Sequence, residues 1–254
     1  MMKIGMVQYS PVWENPEENI LKIEDMLKTL TAKCDLLIFP EMTLTGFTME
    51  ADKFAEEIDG TCTNYFLNLS RRIRTDIFAG LIERDHDKIF NSMTHFDSFG
   101  LLKARYRKIH PFANAGEDKF FSAGEELVVT EIDHIRFGLS VCYDLRFPEL
   151  YRLYAKHKPD VLIDIANWPV QRIEHWKTLL KARAIENQCF MIGVNRVGKD
   201  PFHSYNGCSV IYDPMGIQII LNEDDEKIIE AEININSVKE TRTKLPFLND
   251  MRLI

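Results

Sequence analysis

The sequence Ile135-Arg-Phe-Gly-Leu-Ser-Val-Cys142-Tyr-Asp-Leu-Arg-Phe-Pro-Glu149 joins an apolar segment of β-strand character to the start of a helix. Pro148 followed by an acidic residue is typical of the first turn of a helix. A side chain that lies where a strand gives way to a helix is exposed at the edge of a sheet. The stretch therefore predicts a strand, a turn and a helix, with Cys142 as a candidate nucleophile on the turn.

Two other apolar segments end on a residue that can act on a thiol. The segment 35–41 ends on Glu41, and the segment 101–108 ends on Lys108. A cysteine attacks as a thiolate, so it needs a base or a positive neighbourhood to ionise near neutral pH. A carboxylate and an ammonium supply both, and the backbone N–H of Tyr143 is a candidate donor to a developing oxyanion. These strand ends predict one active site.

Hydrophobic periodicity predicts alternating strands and helices along the chain. Helices are expected from Asn15, over 65–74, from about Pro148 and over 174–187. Strands are expected over 3–8, 36–39, 77–82, 89–96, 101–106, 127–132, 135–141, 161–165, 190–195, 207–212, 217–221 and 228–233. The irregular stretch 111–124 is expected to be a loop packed over the site. Since no linker or repeat interrupts the chain, we expect one α/β domain over residues 1–254.

Composition excludes several classes of function. Apolar residues make up 45% and charged residues 28% of the 254 residues, which is an ordinary globular balance. The formal net charge of -8 disfavours a nucleic-acid partner, which would need a basic face. With no run of about 18 apolar residues and no signal-peptide pattern at the amino terminus, we expect no membrane association and a cytoplasmic location.

The cysteines do not follow the spacing of a disulfide framework or a zinc site. There are five of them, an odd number, and they are widely scattered. A metal-dependent alternative would use His203 and Cys208, but nearby residues do not complete a ligand set. We therefore expect no metal and no cofactor.

Three motifs together resemble the nitrilase superfamily of carbon-nitrogen hydrolases. They are Phe-Pro-Glu-Met-Thr-Leu-Thr-Gly-Phe over 39–47, Tyr-Arg-Lys-Ile-His-Pro-Phe over 106–112, and Val-Cys-Tyr-Asp-Leu-Arg-Phe-Pro-Glu over 141–149. The resemblance extends through Asn-Trp-Pro at 167–169 and Ala-Arg-Ala-Ile-Glu-Asn-Gln at 182–188. It implies a four-layer α-β-β-α sandwich, which commonly forms a homodimer, and the hydrolysis of nonpeptide amides.

The resemblance also implies roles for particular residues. Glu41 corresponds to the general base, Lys108 to the oxyanion stabiliser and Cys142 to the nucleophile of a Glu-Lys-Cys triad. A further glutamate supports the triad in this family. Glu117 is the candidate here by its position after Lys108, and Glu125 and Glu126 are alternatives.

Within the superfamily the sequence is most similar to the YafV-type omega-amidases. That similarity implies a dicarboxylic acid monoamide as substrate, such as 2-oxoglutaramate or 2-oxosuccinamate, which water converts to the acid and ammonia through a cysteine thioester. The far carboxylate of such a substrate favours an arginine in the pocket. The candidate substrate-binding residues are Arg172, Arg146, Asn167, Trp168 and Phe47. An ion pair between Arg146 and Glu149 or another acid is an alternative role for that arginine.

Several other functions remain open from the sequence. A Cys-His hydrolase would use His110, His175 or His203 as the base, although no spacing selects one of them. Other members of the same superfamily, such as an N-carbamoyl hydrolase or a deaminated-glutathione-type amidase, share the triad. A scaffold without catalytic activity is the remaining alternative, and an intact triad disfavours it.

Overall fold

Two mixed β-sheets pack face to face, and helices cover the outer face of each, in a computed structural model that describes residues 1–253. The strands are β1 (Met2–Gln8), β2 (Leu36–Ile38), β3 (Asp76–Asp85), β4 (Lys88–Phe96), β5 (Leu102–Arg107), β6 (Val129–Ile132), β7 (Ile135–Val141), β8 (Val161–Ala166), β9 (Phe190–Asn195), β10 (Val197–Lys199), β11 (Ser204–Tyr212), β12 (Gln218–Glu223) and β13 (Lys227–Ile233). The helices are α1 (Pro16–Leu27), α2 (Ala51–Phe54), α3 (Thr61–Ile73), α4 (Pro148–Lys156), α5 (Ile173–Asn187) and α6 (Asn236–Lys244).

The strand order brings the predicted site residues to one edge. The first sheet runs β13-β1-β2-β3-β4-β5, and the second runs β10-β11-β9-β8-β7-β6 with β12 beside β11. β2 is parallel to β3, and two antiparallel pairings through β4 make β5 parallel to β3 as well. In the second sheet, β7, β8 and β9 are parallel. Parallel strands end at the same edge of a sheet, so Glu41 and Lys108 lie together, as do Cys142 and Asn167.

Three apolar clusters define the layers. The largest lies between the sheets and includes Ile38 and Phe78 from the first sheet and Val141 and Ile163 from the second. A second cluster joins the second sheet to α4 and α5, and a third joins the first sheet to α1 and α3. The order of layers is therefore α-β-β-α, as predicted.

Local sequence signals account for the element boundaries. The Asn15 side chain accepts a hydrogen bond from the backbone N–H of Glu18, and Pro16 occupies the first turn of α1. This is the cap that the sequence predicts.

Gly80 in β3 allows a close contact between two segments of backbone. A Cβ atom there would lie 2.5 Å from the Met42 backbone nitrogen and 2.7 Å from the Cα of Glu41. The missing side chain lets β3 pack directly against the backbone that carries Glu41.

Some elements differ from the sequence prediction. The helix predicted over 65–74 begins earlier, at Thr61, after Gly60, which provides no side-chain cap. The stretch 111–124 contains two short 3₁₀ helices, Ala113–Ala115 and Glu117–Lys119. The strand β10 and the helices α2 and α6 were not predicted. The first two have only three and four residues, and α6 buries a single apolar side chain, Val238. Among residues 1–253, no helix combines the length and apolar character that crossing a membrane requires.

Candidate active site

Glu41 follows β2 and its carboxylate is almost completely buried. One oxygen, Oε1, accepts hydrogen bonds from Asn91 Nδ2 at 2.7 Å and Lys108 Nζ at 3.0 Å. The other, Oε2, accepts from the backbone N–H of Asn167 at 2.8 Å and from its Nδ2 at 3.2 Å. Burial alone would raise the pKa of Glu41, but Lys108 and these donors hold it below its ordinary value. Glu41 is therefore a carboxylate at neutral pH, which is the form that a general base needs.

Lys108 follows β5 and lies between two carboxylates. Its ammonium donates to Glu41 and also to Glu117, where the distances to Oε2 and Oε1 are 2.8 and 3.1 Å. Burial would lower the pKa of Lys108, but Glu117 and Glu41 raise it well above its ordinary value. The amine stays protonated and thus provides a fixed positive charge beside the nucleophile.

Glu117 completes the cluster, as its position after the lysine suggested. It is fully buried and accepts hydrogen bonds from Lys108, from Asn91 Nδ2 at 2.8 Å and from the backbone N–H of Phe112 at 2.6 Å. The alternatives Glu125 and Glu126 are exposed and line a different surface groove. Among these three acids, the structure places only Glu117 against Lys108.

Cys142 lies on the turn between β7 and α4 in a left-handed backbone conformation, with φ of 53°. A residue with a Cβ atom rarely adopts this conformation, and such strain is common at functional sites. Its backbone N–H donates to Asp164 Oδ1 at 2.9 Å. Burial and the charge of Glu41 raise the pKa of the Cys142 thiol well above its ordinary value, although Lys108 opposes them. The resting residue is a thiol, so attack requires a base to remove its proton.

The predicted substrate-binding residues line one pocket together with Cys142 and Lys108. The pocket has a volume of about 40 Å³, room for a few water molecules or a small amide group. Its walls include five predicted residues and Tyr143: Phe47, Tyr143, Arg146, Asn167, Trp168 and Arg172. Glu41 and Glu117 do not line the pocket, but both bond to Lys108, which does. The pocket therefore brings together the candidate nucleophile and the candidate binding groups.

Two arginines in this pocket have no carboxylate partner among residues 1–253. The Arg146 guanidinium lies 4.7 Å from the ring centroid of Trp168, and that of Arg172 lies 5.7 Å from Phe112. The alternative role of Arg146, an ion pair with Glu149 or another acid, is wrong, because its side chain lies over Trp168 at the pocket and reaches His175 instead, at 3.3 Å. Burial and the nearby Arg172 lower the pKa of Arg146. Both effects favour an anion in the pocket.

The three histidines considered as alternative bases have different surroundings. His110 Nδ1 bonds to Asp144 at 2.8 Å, and its ring stacks on Phe147. His175 is exposed and contacts Arg146. Only His203 lines the pocket, next to Tyr205. Cys208, its suggested partner in a metal site, is buried, and its carbonyl oxygen accepts from Trp176 instead.

Sequence reasoning missed residues that support the site from within the sheets. Asn91 in β4 donates one amide group to both Glu41 and Glu117, and Asp164 in β8 accepts from Cys142. Asp144 accepts from Tyr106 and from the backbone N–H of Val141. A polar residue inside an apolar strand was the available signal for Asn91 and Asp164, because such a residue needs buried partners.

Comparison with known proteins identifies the family. The model of the carbon-nitrogen hydrolase family matches residues 3–243 of the chain. The chain belongs to the carbon-nitrogen hydrolase family. It is accordingly a hydrolase of carbon-nitrogen bonds other than peptide bonds, and the predicted resemblance to the nitrilase superfamily is confirmed.

Relatives of this carbon-nitrogen hydrolase match over almost their full length. A 2-oxoglutaramate amidase from Bacillus subtilis is 34% identical over 251 residues, which cover 98% of this chain and 97% of the relative. The omega-amidase YafV from Yersinia enterocolitica is 35% identical over 257 residues, which cover 98% and 96%. The crystal structure of XC1258 from Xanthomonas campestris, a CN-hydrolase superfamily protein with an arsenic adduct in its active site, is 32% identical. That structure superposes with a TM-score of 0.93 and covers 100% of this chain and 98% of its own.

The charges around the thiol predict how the hydrolase depends on pH. Since the pKa of Cys142 is raised and that of Glu41 is lowered, kcat/KM should fall on the acid side as Glu41 becomes protonated. It should not rise in the neutral range in step with thiol ionisation. Alkylation of Cys142 by iodoacetamide should be slow at neutral pH and accelerate only in alkaline solution. Rapid alkylation at pH 6 would show a preformed thiolate and contradict this arrangement.

Proposed function

We propose that this hydrolase is an omega-amidase that converts a dicarboxylic acid monoamide, such as 2-oxoglutaramate or 2-oxosuccinamate, to the dicarboxylic acid and ammonia. One observation carries the proposal: the pocket that contains Cys142 and Lys108 also contains the guanidinium groups of Arg146 and Arg172. A monoamide of this class has an amide at one end and a carboxylate at the other. Relatives that bear the names 2-oxoglutaramate amidase and omega-amidase support the same substrate class.

In the first half of the reaction, Cys142 Sγ attacks the amide carbon while Glu41 takes the thiol proton. The carbonyl oxygen becomes an oxyanion, which the Lys108 ammonium and the Tyr143 backbone N–H stabilise. When this intermediate collapses, the carbon-nitrogen bond breaks and Glu41 returns the proton to the leaving nitrogen. The products of this half are ammonia and a thioester between the acyl group and Cys142.

In the second half, a water molecule attacks the thioester carbon and Glu41 takes one proton from it. The same two donors stabilise the second oxyanion. Its collapse breaks the carbon-sulfur bond, and Glu41 returns the proton to the Cys142 sulfur. The acid is released and the enzyme is restored.

Glu117 and Asn91 are proposed to keep the base and the cation in position. Three donors of the cluster, namely Lys108 and the amides of Asn91 and Phe112, point at the Glu117 carboxylate. Lys108 therefore bonds to Glu41 and Glu117 at the same time, and both carboxylates fix the position of its ammonium. This arrangement preorganises the positive charge for both oxyanions, which lowers the cost of reorganisation during the reaction.

Arg146 and Arg172 are proposed to bind the far carboxylate of the substrate. Each guanidinium lies over an aromatic ring and has no acidic partner in the described chain. A bidentate bond to a carboxylate would supply the missing negative charge. The aromatic walls, Phe47 and Trp168, would then contact the carbon chain between the two ends, and Asn167 holds Glu41 at the amide end.

The test compares substrates with and without the far carboxylate. We expect Arg146→Leu and Arg172→Leu each to lower kcat/KM for 2-oxoglutaramate by about 10- to 100-fold, mainly through KM, because each removes a charge-assisted bond. Release of ammonia from an uncharged amide of equal length should change little. Arg252→Leu, at an exposed arginine outside the pocket, is the matched control.

A specificity panel decides between members of the superfamily. It should contain 2-oxoglutaramate, 2-oxosuccinamate, glutaramate, deaminated glutathione, N-carbamoyl amino acids and a nitrile, with ammonia and carbon dioxide measured separately. The highest kcat/KM is expected for the two oxo acids. A preference for carbamoyl compounds, with release of carbon dioxide, would overturn the assignment.

We further propose that residues 1–254 form one catalytic domain that acts as a cytoplasmic homodimer. The apolar cluster shared by both sheets supports the single domain. Leu153 on α4 and Ile185 on α5 are exposed apolar side chains on the outer helical layer, and we propose that the two copies associate through that layer.

A further inference from the structure

A second carboxyl group, that of Asp164, lies buried beneath the nucleophile turn. Asp164 is in β8, directly opposite Ser140 of the parallel strand β7, and it is fully buried. Its Oδ1 accepts the Cys142 backbone N–H at 2.9 Å. Its Oδ2 contacts Ser140 Oγ at 2.7 Å and the Tyr151 hydroxyl at 2.9 Å. No lysine, arginine or histidine among residues 1–253 forms an ion pair with it.

The hydroxyl contacts around Asp164 indicate which protonation state fits. Besides its contact with Asp164, Ser140 Oγ lies 2.7 Å from the Tyr151 hydroxyl and 2.9 Å from the Ile163 carbonyl oxygen. Together with the two contacts of Oδ2, these make four short oxygen-oxygen contacts. The two hydroxyls supply two protons, so an ionised Asp164 leaves two of the four contacts without a proton. If Oδ2 carries a proton, three of the four contacts can be hydrogen bonds.

Burial also favours the protonated form of Asp164. The groups that face Asp164 are Ser140 on β7, the Cys142 backbone and the Asp144 carboxylate on the turn, and the Tyr151 hydroxyl on α4. Burial raises the pKa of Asp164 well above its ordinary value, and the charge of Asp144 raises it further. The donors from Ser140, Tyr151 and Cys142 oppose this shift, but none of them carries a positive charge.

We propose that Asp164 is a positioning residue that, as an uncharged carboxylic acid, holds the Cys142 backbone in its left-handed conformation. The bond from the Cys142 N–H fixes the strained turn, because it ties the nucleophile to the neighbouring parallel strand. The absence of charge matters as well. Glu41 and Glu117 already face the thiol against a single ammonium, and a further negative charge at Asp164 would raise the pKa of the thiol again.

This inference rests on the proposed role of Cys142 as the nucleophile. The variants Asp164→Asn, Asp164→Ala and Thr75→Ala test it in the full-length protein. Asparagine keeps the acceptor for Cys142 and donates from the position of the protonated oxygen, so it should rescue activity, with kcat within about threefold of the wild type. Alanine removes the acceptor and should lower kcat about 100-fold. Thr75→Ala is the matched control, because it removes a buried hydroxyl that donates to the Cys34 carbonyl oxygen outside the pocket.

Three readouts separate positioning from a purely structural role. Both alanine variants should lower Tm, but only Asp164→Ala should change kcat and the pH profile of iodoacetamide alkylation at Cys142. Asp164→Asn should leave that profile in place, because asparagine changes no charge and keeps the acceptor for the Cys142 N–H, which alanine removes. The infrared spectrum of the wild type at pH 7 should show a protonated carboxyl band that is missing from the spectrum of Asp164→Asn.

Two results would overturn the proposal. One is an alkylation profile of Asp164→Asn that moves to lower pH, together with no protonated carboxyl band, since both would show an ionised Asp164 in the wild type. The other is wild-type kcat in Asp164→Ala. Failure of the omega-amidase assignment is recognised separately, because the wild type would then release little or no ammonia from 2-oxoglutaramate and 2-oxosuccinamate, whereas alkylation and infrared measurements need no substrate.

Discussion

Replacing Cys142 with alanine is expected to lower ammonia release from 2-oxoglutaramate by about 10⁴-fold or more, because no other group can form the thioester. The small side chain is also compatible with the left-handed turn to the same degree as cysteine, so the fold should persist. Circular dichroism and Tm check the fold, and an ammonia assay under saturating substrate checks turnover.

Cys62→Ala is the matched control for the loss of a thiol. Cys62 is a partly buried free thiol on α3, outside the pocket. Its replacement should leave turnover unchanged. Intact-mass measurement of a quenched reaction should detect an acyl adduct in the wild type and in Cys62→Ala, but not in Cys142→Ala. Near-normal turnover by Cys142→Ala would refute the cysteine mechanism altogether.

Replacing Glu41 with glutamine should lower kcat by about 10³-fold, since proton transfer by a positioned base contributes on this order. The amide cannot take a proton from Cys142, whose raised pKa leaves it a thiol at neutral pH. Glutamine also presents an NH₂ group to a site where four donor contacts converge, from Lys108, Asn91 and Asn167. We therefore expect a lower Tm in addition to the loss of kcat.

The control variant is Glu125→Gln, because Glu125 is exposed and lies outside the pocket. Its kcat and Tm should match those of the wild type. If Glu41→Gln instead kept its activity, a histidine base would be favoured. His203 is the histidine on the pocket wall, and loss of activity in His203→Asn would then identify it.

Much of the fold followed from local patterns in the sequence. Signals within a few residues predicted the cap at Asn15, the alternating strands and helices, and the strand that ends before Cys142. They did not predict the helix α6 and strand β10, because the ends and partners of these elements are set by packing against distant segments. The alternative role suggested for Arg146, an ion pair with a nearby acid, was wrong for a related reason. An acid three residues away suggested a local ion pair, whereas Trp168, which is distant in sequence, determines where the guanidinium lies.

The sequence by itself determined which groups we propose to react, Glu41, Lys108 and Cys142, because each motif is contiguous and its chemistry depends on residue type. Tertiary structure alone decided their electrostatic state. Asn91, Asn167 and Glu117 come from separate strands and loops, and together they keep Glu41 ionised and Lys108 charged. Burial and hydrogen bonds depend on which segments meet in space, and the pKa of a group follows from them. Asp164 is an example, because no local motif predicted that this acid in β8 would bond to the backbone of Cys142.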